Sequence, residues 1–145
     1  MTTEKLKFKN EIETILKHTQ EELLVFLEHF LSINKFPQTV TKDYIYAQGD
    51  IPVMLIAHLD TVHKAPPTEI YYSKDLTTLI SPTGIGGDDR AGVFIIMELI
   101  LKGFRPHILF TCDEEIGGLG AQKFVEDFRD NKLELKYILE FDRKG

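Results

Sequence analysis

Residues 84–115 read GIGGDDRAGVFIIMELILKGFRPHILFTCDEE, and this stretch decides the fold. A glycine-rich loop enters an apolar helix for which Asp88 or Asp89 fits the N-cap and Gly103 the C-terminal stop. After Pro106 the run HILFTC reads as a buried strand that ends in Asp113, Glu114 and Glu115. Downstream, GGLGAQKFVEDFRD (117–130) reads as a second helix and LKYILEFD (135–142) as a further strand. Upstream, DYIYAQGDIPVMLIAHLD (43–60) reads as two strands around a Gln48-Gly49-Asp50 turn. The order is β-α-β-α-β, which calls for parallel strands joined by right-handed crossovers. The expected fold is α/β, a three-layer α/β/α sandwich around a mixed, mainly parallel sheet.

The flanking segments are simpler. Leu6, Phe8, Ile12, Ile15 and Leu16 fall at helical spacing over about residues 5–17. Thr19 with Glu22 forms a capping-box pattern. It precedes Leu23, Leu24, Phe26, Leu27, Phe30 and Leu31, the apolar face of a second helix, and Pro37 lies beyond its end. TEIYYSKDLTTLISPTG (68–84) reads as a hairpin with Ser73 to Asp75 near its tip.

Composition narrows the function classes. A chain of 145 residues with 43% hydrophobic and 28% charged residues suits one soluble domain, 1–145, with one core. The net charge of -6 argues against a nucleic-acid partner, which needs a basic face. No apolar run has the length of a membrane span, and the start MTTEKLKFKNEIETILKHTQ lacks the apolar centre of a signal peptide, so a cytoplasmic protein is expected. The single Cys112 makes neither an intrachain disulfide nor a thiolate cluster, and it reads as a small buried apolar residue. Any metal must therefore be held by His, Asp and Glu.

Those residues fall at strand ends. His58 and Asp60 follow one strand, Asp113 to Glu115 a second and Asp142 a third, while Asp88 and Asp89 open a helix. Each has an ordinary explanation alone: a strand reaching solvent, an N-cap, acids favoured by a helix dipole. Open α/β sheets, however, bind ligands outside the carboxyl ends of their strands. Carboxylates crowded there repel one another and raise their own pKa values. A divalent cation removes the conflict, and imidazole with carboxylates suits zinc, with manganese or cobalt as alternatives.

AHLDTV, GIGGDDRAGV, TCDEEIGGLGA and EFDRKG, in this order from about residue 50 to 145, resemble the successive motifs of co-catalytic zinc exopeptidases. That family includes the peptidase T-like, glutamate carboxypeptidase-like and zinc aminopeptidase enzymes. The resemblance implies a site for one or two zinc ions. His58 and Asp142 would bind the first, Glu115 the second, and Asp88 both, next to a cis Asp88–Asp89 peptide. Asp60 would orient His58, and Glu114 would be the general base in hydrolysis of a peptide or an acyl-amino acid. The rival readings are a related amidohydrolase that deacylates amino acids and a non-catalytic metal-binding or assembly module.

The sequence departs from the family in one respect. Relatives carry further strands and a further histidine on the second zinc, far downstream of the position of Asp142. Here His18 and His29 fall on the N-terminal helices, His107 starts a strand at its far end, and His63 lies nearest the site. The expectation is an incomplete catalytic domain, completed by further chain, by a complementing chain or by a homo-oligomer. It would bind one metal well and a second weakly, with low activity alone.

Overall fold

The computed structural model describes residues 3–142. Two helices lead, α1 (Thr3–Lys17) and α2 (Gln20–Ile33), followed by β1 (Gln38–Val40), β2 (Tyr44–Ala47) and β3 (Ile51–His58). A small hairpin, β4 (Tyr71–Tyr72) with β5 (Leu79–Ile80), precedes α3 (Gly87–Leu101), β6 (Pro106–Thr111), α4 (Leu119–Asp127) and β7 (Tyr137–Glu140). The main sheet has the order β1-β2-β6-β3-β7. It is mixed: β1 and β2 run antiparallel at one side, while β6, β3 and β7 are mutually parallel.

Alternation along the strands builds the layers. Ile45, Ala47, Leu55, Ala57, Ile108 and Phe110 point to one face and pack with residues of α1, α2 and α3. Tyr44, Tyr46, Met54 and Leu109 point to the other face, against Phe124 of α4. The three-layer α/β/α expectation is met.

Two details differ from the sequence reading. The short edge strand β1 had no clear signal in its three residues. The two strands around Gln48-Gly49-Asp50 are β2 and β3, yet they are not neighbours, because β6 lies between them. The turn bridges the start of β6: Asp50 and Ile51 donate their amides to the Arg105 carbonyl at 2.8 and 3.3 Å. Gly49 makes this crossing feasible, since a Cβ there would sit 2.1 Å from the Pro106 carbonyl carbon.

The helix ends follow the sequence signals. Thr19 and Glu22 form the reciprocal capping box on α2. In α3 the backbone of Asp88 and Asp89 is not yet helical. The regular helix starts after Asp89, whose Oδ1 accepts the Gly92 amide at 3.1 Å as an N-cap does. Gly103 has a φ of 89° just beyond the last turn, the left-handed conformation that glycine adopts freely. Among the described residues, no helix is long and apolar enough to cross a membrane.

Candidate metal centre

Strand register brings the acids together. His58 at the end of β3 lies beside Thr111 at the end of β6, and Glu140 of β7 lies beside Ile56. The chain continues these ladders past the strands: the Leu59 amide reaches the Thr111 carbonyl at 2.8 Å, and the Phe141 amide reaches the Ile56 carbonyl at 3.0 Å. The carboxyl ends of three parallel strands are thereby level, and α3 presents its first residues to the same edge.

His58 is the centre of this edge and is only 3% exposed. Its Nδ1 faces two acceptors of Asp60, the carbonyl oxygen at 3.1 Å and Oδ1 at 3.2 Å. With acceptors on that side, Nδ1 carries the proton, and Nε2 is the nitrogen turned to the other acids. Nε2 lies 3.6 Å from Asp88 Oδ1 and 3.9 Å from Glu114 Oε2. Burial works to lower the His58 pKa. The hydrogen bond and charge of Asp60, with the charges of Asp89 and Glu114, outweigh it and raise the pKa to about 9.

Asp60 has a second task. Its Oδ1 accepts the Glu114 amide at 3.0 Å and its Oδ2 the Glu115 amide at 2.9 Å. Burial favours its neutral form, but the His58 bond and these two amides hold its pKa below the ordinary value. One carboxylate thus fixes both the imidazole and the acidic turn. Burial pushes the Glu114 pKa upward, with His58 opposing and Glu115, Asp142 and Asp60 adding to the rise. Burial also lifts Asp89 to about 7, against the charge of His58 and the Gly92 amide. Asp89 Oδ2 is buried and makes no hydrogen bond among the described residues.

The candidate ligand atoms form two clusters: His58, Asp88 and Asp142, and His58, Glu114 and Glu115, with the atoms in each within 4.8 Å of one another. The six residues singled out from the sequence therefore meet at one edge. The resemblance gives the shared position to Asp88, whereas in the structure His58 is common to both clusters. Asp88 and Glu115 do share the wall of a cavity of about 410 Å³, with Thr61, His63 and Gly86. The Asp88–Asp89 peptide is cis. One imidazole nitrogen facing carboxylates, on a buried histidine oriented by a further carboxylate, is a donor set that fits a divalent cation.

The remaining histidines lie outside both clusters. His107 bonds the Tyr46 hydroxyl at 2.7 Å at the far end of β6. His29 is exposed, and His18 is half-buried against Phe26. His63 is exposed and packs over Gly84. Cys112 is buried as expected, and burial pushes its thiol pKa up to about 12.

Two supporting residues escaped the sequence reading. Arg90 is buried, and its guanidinium donates to the carbonyls of Ile15 and Leu16 at 2.9 and 3.2 Å and to that of His18. It also reaches the Leu59 carbonyl from Nε at 3.3 Å and a terminal nitrogen at 3.2 Å. A cation at the carbonyl end of α1 satisfies orphan acceptors and the helix dipole, and it ties α1 to the residue between His58 and Asp60. Gln20, the first residue of α2, bonds Asp113. The only local signal for Arg90 is a charged residue at the start of an otherwise apolar helix; for Gln20 there is none.

No protein-family profile matches the chain, and no curated protein matches it by sequence. Solved structures do share its fold. A tripeptidase from Staphylococcus aureus superposes with a TM-score of 0.73 at 18% identity, over 94% of this chain and 43% of the other. Aminopeptidase PepT from Bacillus cereus gives 0.72 at 19% identity, over 94% and 43%. The dipeptidase Dug1p from Saccharomyces cerevisiae gives 0.72 at 12% identity, over 96% and 39%. The chain spans about two-fifths of the length of these structures, and what it shares with them is the fold of one part of a peptidase.

Proposed function

We propose that this chain carries the metal-binding and proton-transfer residues of a metal-dependent peptide hydrolase of exopeptidase type. The observation that supports this most is His58: buried, oriented on Nδ1 by Asp60, with Nε2 turned toward Asp88 and Glu114. The fold likeness to three peptidases points the same way. His58, Asp88 and Asp142 would hold one ion, and Glu115 would take part in holding a second. Zinc, or manganese or cobalt in its place, would supply Lewis acidity to a water and to the scissile carbonyl. Glu114 accepts the proton of the attacking water at a carboxylate oxygen and passes it to the leaving amine nitrogen. Burial raises its pKa above the ordinary carboxylate value, the direction that favours proton acceptance. Asp60 keeps the His58 proton on Nδ1 and holds the Glu114 backbone, so base and imidazole stay in register. The products are an amine and a carboxylate. The substrate is a peptide.

Glu114→Gln tests this reading. Turnover of di- and tripeptides at saturating zinc should fall at least ~100-fold, while zinc binding through His58, Asp88 and Asp142 is retained. Equal turnover in the two proteins would remove Glu114 from the mechanism.

A further inference from the structure

Three successive backbone amides, those of Asp113, Glu114 and Glu115, are held by two side chains from distant parts of the chain. Asp60 takes the second and third. The first goes to Gln20, whose Oε1 accepts the Asp113 amide at 2.9 Å. The same side chain returns a bond, its Nε2 donating to Asp113 Oδ1 at 3.0 Å. Gln20 and Asp113 are 93 residues apart, so this pair is a tertiary clamp rather than a local turn.

The clamp sits where the backbone needs support. Asp113 has a φ of 58°, in the left-handed region that most side-chain-bearing residues avoid. This conformation turns the chain out of β6 and aims Glu114 and Glu115 back toward His58. After the turn, the Glu114 backbone carbonyl accepts the amides of Gly117 and Gly118, both at 2.9 Å. Gln20 itself is anchored by the capping box on Thr19 and Glu22 directly around it. A primary amide is the side chain suited to this position, because it offers one acceptor to an N–H and one donor to a carboxylate. Glutamate would set a second carboxylate against Asp113, and asparagine is one methylene too short to span the gap from α2.

We propose that Gln20 is a positioning residue for the acidic turn: through its paired bonds to Asp113 it fixes the direction of Glu114 and Glu115. It touches neither metal nor substrate, and its role rests on the function proposed above. Helix α2 thereby belongs to the site through Gln20.

Amide hydrogen exchange on the metal-free chain tests the clamp without reference to activity. In Gln20→Leu, exchange at Asp113, Glu114 and Glu115 should rise about tenfold or more, the loss expected for an interaction of hydrogen-bond strength, while amides of β3 and the middle of α3 keep their protection. Asp113→Asn preserves both bonds and should exchange as the parent does. If Gln20→Leu fails to fold, Gln20→Asn keeps a polar side chain at the helix start while withdrawing it from Asp113, and the same local rise is expected. Zinc titration then reads the consequence: the cluster of Glu114 and Glu115 should weaken about tenfold, and that of Asp88 and Asp142 should not. Unchanged exchange at Asp113 to Glu115 overturns the proposal. Zinc binding lost equally at both clusters overturns it too, because Gln20 would then be merely structural. A local rise in exchange with no zinc binding even in the parent protein would uphold the clamp and defeat the proposed function instead.

Discussion

The two parallel strands that flank β3 end very differently. On one side, β6 is buried along most of its length, and the acids that follow it are held by Gln20 and Asp60 through three consecutive amides. On the other side, every residue of β7 is exposed, with Tyr137 at 65%, Ile138 at 59% and Leu139 at 51%. Asp142, which follows β7, is exposed as well. Both ends deliver carboxylates to His58. The site thus has a half anchored to the core, namely buried His58 with Asp60 and the Glu114 and Glu115 backbone that Asp60 holds, and a half carried by an open sheet edge. Strand edges of this apolar kind pair readily with further strands. In its solved neighbours this fold is part of a chain more than twice as long.

Truncation measures that asymmetry most strongly. Leu55 in β3 is 4% exposed and belongs to the main core, so Leu55→Ala should destabilise by about 2–5 kcal/mol. Ile138→Ala, one strand away, should change stability by no more than roughly 0.5 kcal/mol. Urea unfolding of both variants compares them directly, and similar losses would show that β7 is as well supported as β3.

Asp60 tests the anchored half alone. Asp60→Ala leaves His58 Nδ1 with the residue 60 carbonyl alone and the Glu114 and Glu115 amides without their acceptor. Loss of such a supporting carboxylate costs metal affinity roughly 10–100-fold, readable by competition with a chromophoric chelator. An unchanged affinity would mean that the imidazole is oriented by other contacts.

The smallest expected effect is a pH dependence of the metal-free protein. His58 is raised to about 9 in the fold, so its contribution is complete below its ordinary value near 6.5 and is lost as pH rises through about 9. Asp89 is raised to about 7, so its folded form also binds the extra proton, and stability falls between about 4 and 7. The two signs agree, and the melting temperature without metal should drop from pH 5 to pH 9. Zinc requires neutral His58, so its stabilising increment should grow over the same range. A metal-free melting temperature that rises with pH would contradict the assignment.

The sequence made the parallel half of the fold legible because each unit there is local. Helical and strand periods, the Thr19–Glu22 box and the Asp89 cap are all read within a few residues. Strand ends carrying His58, Glu114, Glu115 and Asp142 could be placed on one edge because parallel strands point the same way. The insertion of β6 between β2 and β3 was not legible, since a short turn suggests a hairpin and the pairing of both strands with β6 is made across dozens of residues. Nor were Gln20 and Arg90, whose partners lie dozens of residues away and leave no periodic trace. The sharing of His58 between clusters depends on the reach of side chains across the edge, which spacing along the chain does not encode.

Zinc stoichiometry of the purified chain, by elemental analysis after excess metal is removed, tests the central claim most directly. The account predicts one zinc held per chain, with a second bound more weakly, and loss of the tightly held ion in His58→Ala, because the one imidazole nitrogen turned to the acids ligates one ion. No retained zinc in the parent protein, or the same zinc content in the variant, would contradict it.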